Sequence, residues 1–155
     1  MVETPAAVMN AEAILGEVDF VSIGTNDLTQ YTMAADRLLG DLAHLNNPWQ
    51  PAVLKMIKMT VEGAQRASVT AGKKKYVSVC GEAAADPALA VVLIGLGVDT
   101  LSMNAGAIPA VAAVLKSVTK EKAQQIAAIA LQQISSAEAK ESARKALPIL
   151  DELGL

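Results

Sequence analysis

Short apolar runs along this chain alternate with longer segments in which apolar residues recur at helical spacing. The runs at 19–24, 76–80 and 100–103 are rich in strand-forming residues and predict three β-strands. The first, DFVSIG, lacks strict alternation of apolar and polar residues, which is typical of a strand covered on both faces in a parallel sheet. Helices are predicted over about 5–17, 26–36, 53–67, 87–95, 105–117, 119–133 and 135–150.

This alternation of strands and helices predicts a parallel sheet with right-handed crossovers and helices packed outside it. A complete (β/α)₈ barrel takes about 250 residues. The chain offers three full strands, with Met1–Glu3 as the tail of a fourth. We therefore predict an α/β fold that is the C-terminal half of a (β/α)₈ TIM barrel, over residues 1–118. Residues 119–155 are predicted to form a C-terminal helical extension, and the open sheet edges would need a partner, which a second copy of the chain could supply.

Composition and charge narrow the class of protein. The 155 residues are 52% hydrophobic and 19% charged, which is ample for a folded core. The formal net charge is −3, and no basic stripe is interleaved with aromatic residues, so nucleic acid and anionic membrane surfaces are not expected partners. The single cysteine has no internal disulfide partner, and the longest apolar stretch, 88–98, is shorter than the about 20 residues of a membrane span. We expect a soluble protein of the reducing cytoplasm.

Polar side chains follow each predicted strand, at the point where the strand ends. They are Glu3, the Thr-Asn-Asp triplet at 25–27, the Cys-Gly-Glu triplet at 80–82, and Asn104. In a parallel barrel these carboxyl ends lie on one face, which is where such folds bind ligands. The convergence predicts a binding site at this edge of the sheet.

The residue types at this edge fit a phosphorylated substrate bound with a divalent cation. Glu3 and Asp27 could hold Mg²⁺, which usually takes one or two carboxylates together with substrate oxygens and water. Asn26 and the first amides of the helix that follows offer hydrogen-bond donors to an anion. Arg37 could add a charged fork for phosphate oxygens.

Structural interpretations of the same residues remain open. Asp27 could cap the short helix, and Glu3 could complement the dipole of the helix that follows it. Cys80 could be a buried small apolar residue, and Arg37 could be a solvated helix end. The lysine run at 73–75 is interpreted as a solvated loop, because it lacks the pattern of a phosphate-binding loop.

Four segments resemble the phosphoenolpyruvate-utilising enzymes, and within them the Enzyme I branch of the bacterial sugar phosphotransferase system. They are VDFVSIGTNDLTQYTMAADR, NPWQPAVLKMIK, VSVCGEAAADP and GLGVDTLSMNAGAIP. The resemblance runs from Met1 to about residue 118, and the combination of GTNDLTQYT with CGE at this spacing is highly specific. Pyruvate phosphate dikinase and phosphoenolpyruvate synthase belong to the same family and are the alternatives within it.

The resemblance implies a TIM-barrel domain that binds phosphoenolpyruvate and Mg²⁺, with Mn²⁺ as a possible substitute, and that commonly dimerises. By motif, Glu3 and Asp27 resemble the two metal-binding carboxylates of the family. Asn26 and Arg37 resemble residues that contact the substrate phosphate, Asp27 lies in the same segment, and Cys80 resembles the cysteine that protonates the enolate of pyruvate. Each role is physically apt, since a thiol at a strand end can supply a proton to carbon.

Departures from the family pattern bear on what the chain can do. Ala85 stands where relatives often have glycine, and Asn104 where they often have serine. The upstream strands with further phosphate-binding arginines, and the domain with the phosphohistidine, are not in this sequence. The resemblance therefore implies a fragment of a phosphoenolpyruvate-protein phosphotransferase, inactive alone, whose parent passes phosphate to HPr for sugar uptake. The competing hypothesis is a non-catalytic half barrel that dimerises or senses phosphoenolpyruvate.

Overall fold

The computed structural model describes residues 1–36 and 38–155. Within them the chain is an α/β protein with one three-stranded parallel sheet, which confirms the predicted class. The strands are β1 (Phe20–Gly24), β2 (Tyr76–Cys80) and β3 (Thr100–Ser102). The helices are α1 (Pro5–Met9), α2 (Ala11–Glu17), α3 (Thr25–Met33), α4 (Pro51–Ala71), α5 (Glu82–Ala85), α6 (Pro87–Gly95), α7 (Ile108–Lys116), α8 (Lys120–Leu131), α9 (Ser136–Lys145) and α10 (Ile149–Glu152). Two short 3₁₀ helices span Gly40–Leu42 and Ala105–Ala107.

The sheet has the order β1-β2-β3, and all of its strands are parallel. The predicted fourth strand is present as a single parallel bridge between Val2 and Ile23. Two backbone hydrogen bonds hold it: Val2 N donates to Ser22 O at 2.8 Å, and Gly24 N donates to Val2 O at 3.1 Å. The carboxyl ends of all four segments therefore lie along one edge, which we call the carboxyl rim. Closure of such a sheet into a barrel remains a prediction.

The two faces of the sheet differ, which corrects the expectation that β1 is covered on both sides. Val21 and Ile23 point into the helical layer and are buried, as are their counterparts in β2. On the other face, which we call the open face, Phe20 is 62% exposed and Tyr76, its partner in register, is 50% exposed. The serines of DFVSIG and YVSVC also lie on this open face, so buried residues alternate with exposed or half-buried ones along both runs.

Several helices begin or end at other residues than predicted, because of local hydrogen bonds and backbone conformation. The helix expected over 5–17 is two helices that meet at Asn10, whose side-chain amide donates to Ala6 O at 2.8 Å. α3 begins at Thr25 and ends at Met33, shorter than expected at its end, because Ala34 adopts a left-handed conformation with φ 49°. α4 is longer than expected, since Pro51 opens it and left-handed Gly72 ends it.

The helices after residue 118 pack tightly on the rest of the fold. The buried face of α8 belongs to the same hydrophobic cluster as α6 and the strands. At Gly95 the backbone of α8 comes so close that a side chain would overlap Ala123. One half of the predicted capping box is confirmed, because Glu138 N donates to the side chain of the cap residue, Ser135, at 3.2 Å. The Glu138 carboxylate accepts from Ile134 N at 3.3 Å instead of from the N–H of Ser135. The helix predicted over 119–133 is confirmed as α8. The helix predicted over 135–150 ends instead at Lys145, and residues 149–152 form a separate helix, α10, after Pro148.

At the opposite edge of the sheet, the amino rim, the lysine run at 73–75 is a loop whose first two lysines are exposed, as predicted, whereas the third departs from that interpretation. All three lysines bond to residues at the starts of neighbouring strands. The first lysine donates to Asp19, just before β1, at 2.7 Å. The second pairs with Asp99, just before β3, at 2.5 Å. The third is buried, and its ammonium donates to Val18 O at 2.7 Å. The run thereby ties together the starts of all three strands.

Candidate functional site

A row of four residues crosses the open face at the carboxyl rim. Gly24 is opposite Cys80 in the β1–β2 register, and Cys80 is opposite Ser102 in the β2–β3 register. Glu3 extends the row on the far side of Gly24, because the preceding residue, Val2, bridges to Ile23. Neighbouring strands lie about 4.8 Å apart, so side chains in this row are close neighbours. The structure thus brings Glu3 and Cys80 to one edge of the sheet, as the sequence predicted.

The side chain of Glu3 lies directly over Gly24. A Cβ atom added to Gly24 would stand 2.5 Å from Glu3 Oε1 and 2.8 Å from Glu3 Cγ, so the Glu3 side chain would have to leave its present position. Gly24 has φ −87°, so the backbone itself does not require glycine. The glycine is needed to leave room for a carboxylate. Glu3 also lies before the cap of α1, which Thr4 provides, so its predicted role as first-turn charge is not seen.

The Thr-Asn-Asp triplet forms the first turn of α3 immediately after β1. Thr25 is buried and its hydroxyl donates to Cys80 O at 3.5 Å, which links the start of α3 to the end of β2. Asn26 is exposed and Asp27 is half-buried. The residue at the cap position is Gly24, and Asp27 lies inside the first turn. The alternative that Asp27 caps this helix is therefore wrong.

Cys80 ends β2 on the open face. Its thiol is half-buried and lies 3.5 Å from Ile23 O, so it is neither sealed in the core nor fully in solvent. The chain then turns sharply at Gly81, whose φ of 94° and ψ of −155° are accessible to glycine almost alone. This turn sends Glu82 into α5 and away from the strand direction. Cys80 thus lies in the same row of the carboxyl rim as Glu3.

Two other residues singled out in the sequence have different outcomes. Arg37 lies outside the described residues, so its predicted phosphate contact stays a prediction. Asn104 caps the 3₁₀ helix that follows β3, where its side chain accepts from Ala107 N at 3.0 Å. Sequence reasoning missed the role of Gly24, although its position between an apolar run and the Thr-Asn-Asp triplet was a visible signal.

The donor set at the rim suits a hard cation. Both Glu3 and Asp27 are carboxylates. The Glu3 side chain lies over Gly24, and Asp27 lies in the first turn of α3, the helix that Gly24 caps. Among residues 1–36 and 38–155, no three or more histidine, cysteine, aspartate and glutamate side chains form a cluster. Two carboxylates with the remaining positions filled by substrate oxygens and water is the usual arrangement for Mg²⁺. The residues therefore fit Mg²⁺ bound together with an oxygen-rich ligand.

Residues 1–120 match the family model of the PEP-utilising enzyme, PEP-binding domain. The chain is 46% identical over 147 residues to phosphoenolpyruvate-protein phosphotransferase of Streptomyces coelicolor, which covers 95% of this chain and 25% of the relative. The protein of the same name from Haemophilus influenzae is 41% identical over 138 residues, 89% of this chain and 23% of the relative. A multiphosphoryl transfer protein of Xanthomonas campestris is 46% identical over 132 residues, 85% of this chain and 15% of the relative.

The chain spans about a quarter of the length of the first two of these relatives.

Among the described residues, no helix is both long and apolar enough to cross a membrane.

Proposed function

Because the chain belongs to the phosphoenolpyruvate-utilising enzymes, through their PEP-binding domain, we propose that it contributes half of a phosphoenolpyruvate site. The parent activity is transfer of the phosphoryl group from phosphoenolpyruvate to a histidine on another domain. The residues of this chain bind the substrate and return a proton to its carbon. The three-dimensional frame is one half of a (β/α)₈ barrel, with the carboxyl rim as its catalytic end.

One observation supports this proposal above the others: the Glu3 side chain occupies the space over Gly24, next to the Thr-Asn-Asp turn. A metal-binding pair drawn from two different strands requires that both carboxylates reach the same rim. Packing of the core alone would not require a buried glycine whose free space is filled by a carboxylate. Glu3 and Asp27 are accordingly the residues that would hold Mg²⁺ or Mn²⁺, and the bound ion would offset charge on the phosphoryl and enolate oxygens.

The other residues act on the substrate directly. Asn26 is exposed at the first turn of α3, where its side-chain amide can donate to a phosphate oxygen, and by family resemblance Arg37 adds a second contact. Transfer breaks the bond between phosphorus and the bridging oxygen and leaves the enolate of pyruvate. The Cys80 thiol then gives its proton to the methylene carbon, which yields pyruvate, and the thiolate recovers a proton from water.

The open face supports a partner that completes the barrel. Phe20 and Tyr76 form an exposed aromatic pair on this face, and such a pair is normally covered in a finished barrel. We propose that the preceding barrel strands of the parent protein cover it, that the parent dimerises, and that it passes the phosphoryl group to HPr in the cytoplasm. The competing function, a half barrel that senses phosphoenolpyruvate without turnover, would use the same binding residues but not Cys80.

The experiment is a chimaera in which this chain replaces the matching 147 residues of the Streptomyces coelicolor relative. We expect the chimaera to bind phosphoenolpyruvate in a Mn²⁺-dependent manner in calorimetry, and to phosphorylate HPr. Asp27→Ala should abolish that binding, because one of the two carboxylates is lost, while the melting temperature stays close to that of the unsubstituted chimaera.

Asp41→Ala is the matched control, since Asp41 is an exposed acid in the 3₁₀ helix of the loop after α3. It should leave phosphoenolpyruvate binding unchanged. Binding by the Asp27→Ala chimaera at full strength would refute the ligand role of Asp27. Full binding without any transfer to HPr would favour the sensing module instead.

A further inference from the structure

A side-chain hydrogen bond joins two connections that leave the carboxyl rim from neighbouring strands. Trp49 Nε1 donates to Asp86 Oδ2 at 3.0 Å. Trp49 lies near the end of the connection from α3 to α4, and Asp86 ends the connection from β2 to α6. The two residues are 37 positions apart in sequence, so this bond links segments that the backbone alone does not hold together.

Both partners are fixed by separate local contacts. Trp49 is 2% exposed, and its backbone N–H donates to Asn47 Oδ1 at 3.0 Å, which shapes the turn before α4. Asp86 caps α6 with its other oxygen, Oδ1, which accepts from Ala88 N at 2.9 Å and Leu89 N at 3.2 Å. One carboxylate oxygen of Asp86 thus caps α6, and the other accepts the hydrogen bond from Trp49. Because the acceptor is charged and the donor is buried, the bond belongs to the stronger class of hydrogen bonds.

The segment between Cys80 and Asp86 is short and passes through the sharp turn at Gly81. Its middle, Ala83 and Ala84, is buried against the core. A restraint on Asp86 therefore limits how far the end of β2 can move, and the Cys80 thiol with it.

We propose that Trp49 and Asp86 are positioning residues that hold the segment 80–86, and so Cys80, in place on the carboxyl rim. The catalytic consequence of this restraint rests on the proposed function. The restraint itself does not, because it can be measured on the 155-residue chain without substrate or metal. If Trp49 and Asp86 restrain the segment 80–86 but Cys80 is not an acid, the restraint will still be measurable while the proposed function fails.

The experiment follows alkylation of Cys80, the only cysteine of the chain, by iodoacetamide under native conditions. Trp49→Phe keeps an aromatic ring in the core and removes the N–H donor. Loss of a hydrogen bond to a charged group corresponds to about a tenfold rise in local opening, and hence in the alkylation rate. The control is Ile126→Val, a fully buried position on α8 that loosens the core away from the rim. It should lower the melting temperature without changing the alkylation rate.

Asp86→Asn supplies an independent variant, because asparagine still caps α6 but places an amide rather than a carboxylate near the indole. It should raise the rate as much as Trp49→Phe, and the double variant should exceed neither. The fluorescence of Trp49, the only tryptophan, should shift to longer wavelength in Asp86→Asn as the indole loses its anchor. The proposal is wrong if both single variants are alkylated at the unchanged rate, or if the two rate increases multiply in the double variant. It is also wrong if Ile126→Val raises the alkylation rate by the same factor.

Discussion

The amino rim and the carboxyl rim are the two ends of the same parallel strands, and the lysines of the first and Glu3 of the second use their charges in opposite ways. At the amino rim, the lysines at 73–75 each bond to an acid or a carbonyl at the start of a neighbouring strand. At the carboxyl rim, Glu3 has neither a hydrogen bond nor an ion pair with any described residue, yet its side chain is held over Gly24. A paired charge contributes to the fold, whereas a half-exposed carboxylate at the carboxyl rim is available to a ligand.

The difference between the paired lysines of the amino rim and the unpaired Glu3 indicates which end of the sheet binds a ligand. Charge by itself does not mark the site, because the amino rim also carries a cluster of charged residues, and these are paired with one another or with a carbonyl. What distinguishes the carboxyl rim is a set of polar groups placed by backbone features: the glycine at 24, the left-handed turn at Gly81 and the start of α3. Substitutions at the carboxyl rim should therefore affect chemistry, and those at the amino rim should affect stability.

The largest effect is expected for Cys80→Ala in the chimaera. Removal of a general acid typically costs about 10²–10⁴-fold in rate, and we expect a loss in this range for exchange of the pyruvate methyl protons with deuterium, followed by NMR. Exchange is the reverse of enolate protonation, so it reports on the same thiol. Phosphoenolpyruvate affinity should change little.

Ser102→Ala is the control for this prediction, because Ser102 lies opposite Cys80 in the same row of the open face. Its exchange rate should match that of the unsubstituted protein. Exchange that continues at the same rate without the thiol would remove Cys80 from the mechanism and weaken the contrast between the rims.

The second effect is expected for Gly24→Ala. The new Cβ would collide with the Glu3 side chain, and the carboxylate would have to move away. Loss of the support for a metal ligand typically costs about 10–100-fold in metal affinity, which we expect for Mn²⁺ measured by electron paramagnetic resonance. The fold should tolerate the change, since the clash involves a flexible side chain.

Gly16→Ala is the matched substitution, because a Cβ at this position in α2 would meet nothing within 4 Å. It should leave Mn²⁺ affinity unchanged and slightly raise stability, as alanine is the better helix former. Equal Mn²⁺ affinities in the two variants would show that the space over Gly24 has no part in metal binding.

The third effect tests the amino rim. Asp99 accepts from Val77 N at 3.0 Å through one oxygen and pairs with Lys74 through the other. Asp99→Ala leaves the N–H of a buried residue without its acceptor, which should lower the free energy of unfolding by about 1–3 kcal/mol in urea denaturation. Mn²⁺ affinity should be unaffected.

Asp151→Ala, an exposed acid on α10, should change the unfolding free energy by less than about 0.5 kcal/mol. A loss of Mn²⁺ affinity in Asp99→Ala without a loss of stability would reverse the assignment of the two rims.

Strand positions and the gathering of polar groups at one rim could be predicted from the sequence, because both follow from local patterns. Apolar runs mark β1 and β2, and parallel connections place their ends together. The site residues could be named from the resemblance, but their roles still await the experiments above.

What the sequence could not predict depends on contacts between distant positions. The burial of Lys75 requires the carbonyl of Val18, 57 residues away, and nothing near a run of lysines indicates it. The open face of β1 was not predicted, because the lack of strict alternation in this run was interpreted as burial on both faces. The role of Gly24 depends on Glu3, which only the pairing of Val2 with Ile23 brings into place.

The smallest effect concerns the pH dependence of the amino rim. The hydrogen bond from Lys73, together with its charge, holds the pKa of Asp19 below its ordinary value of 3.8. The hydrogen bond to Asp99 raises the pKa of Lys74 above its ordinary value of 10.5. Stability from Asp19 is therefore present above pH 3.8 and lost as the pH falls through the lowered pKa, while stability from Lys74 is present below pH 10.5 and lost as the pH rises through the raised pKa.

Two substitutions separate the acid-side effect of Asp19 from the alkaline-side effect of Lys74 when thermal denaturation is measured across pH. Lys73→Met should melt slightly below the unsubstituted chain at neutral pH, and the gap should close in acid as Asp19 is protonated. Lys74→Met should show a gap that closes in alkali instead. Both gaps should be small, since exposed ion pairs are screened by solvent. A Lys73→Met gap that stays constant into strong acid would mean that the lysine stabilises by packing rather than by its pairing with Asp19, and the amino rim would then owe less to charge than its contacts indicate.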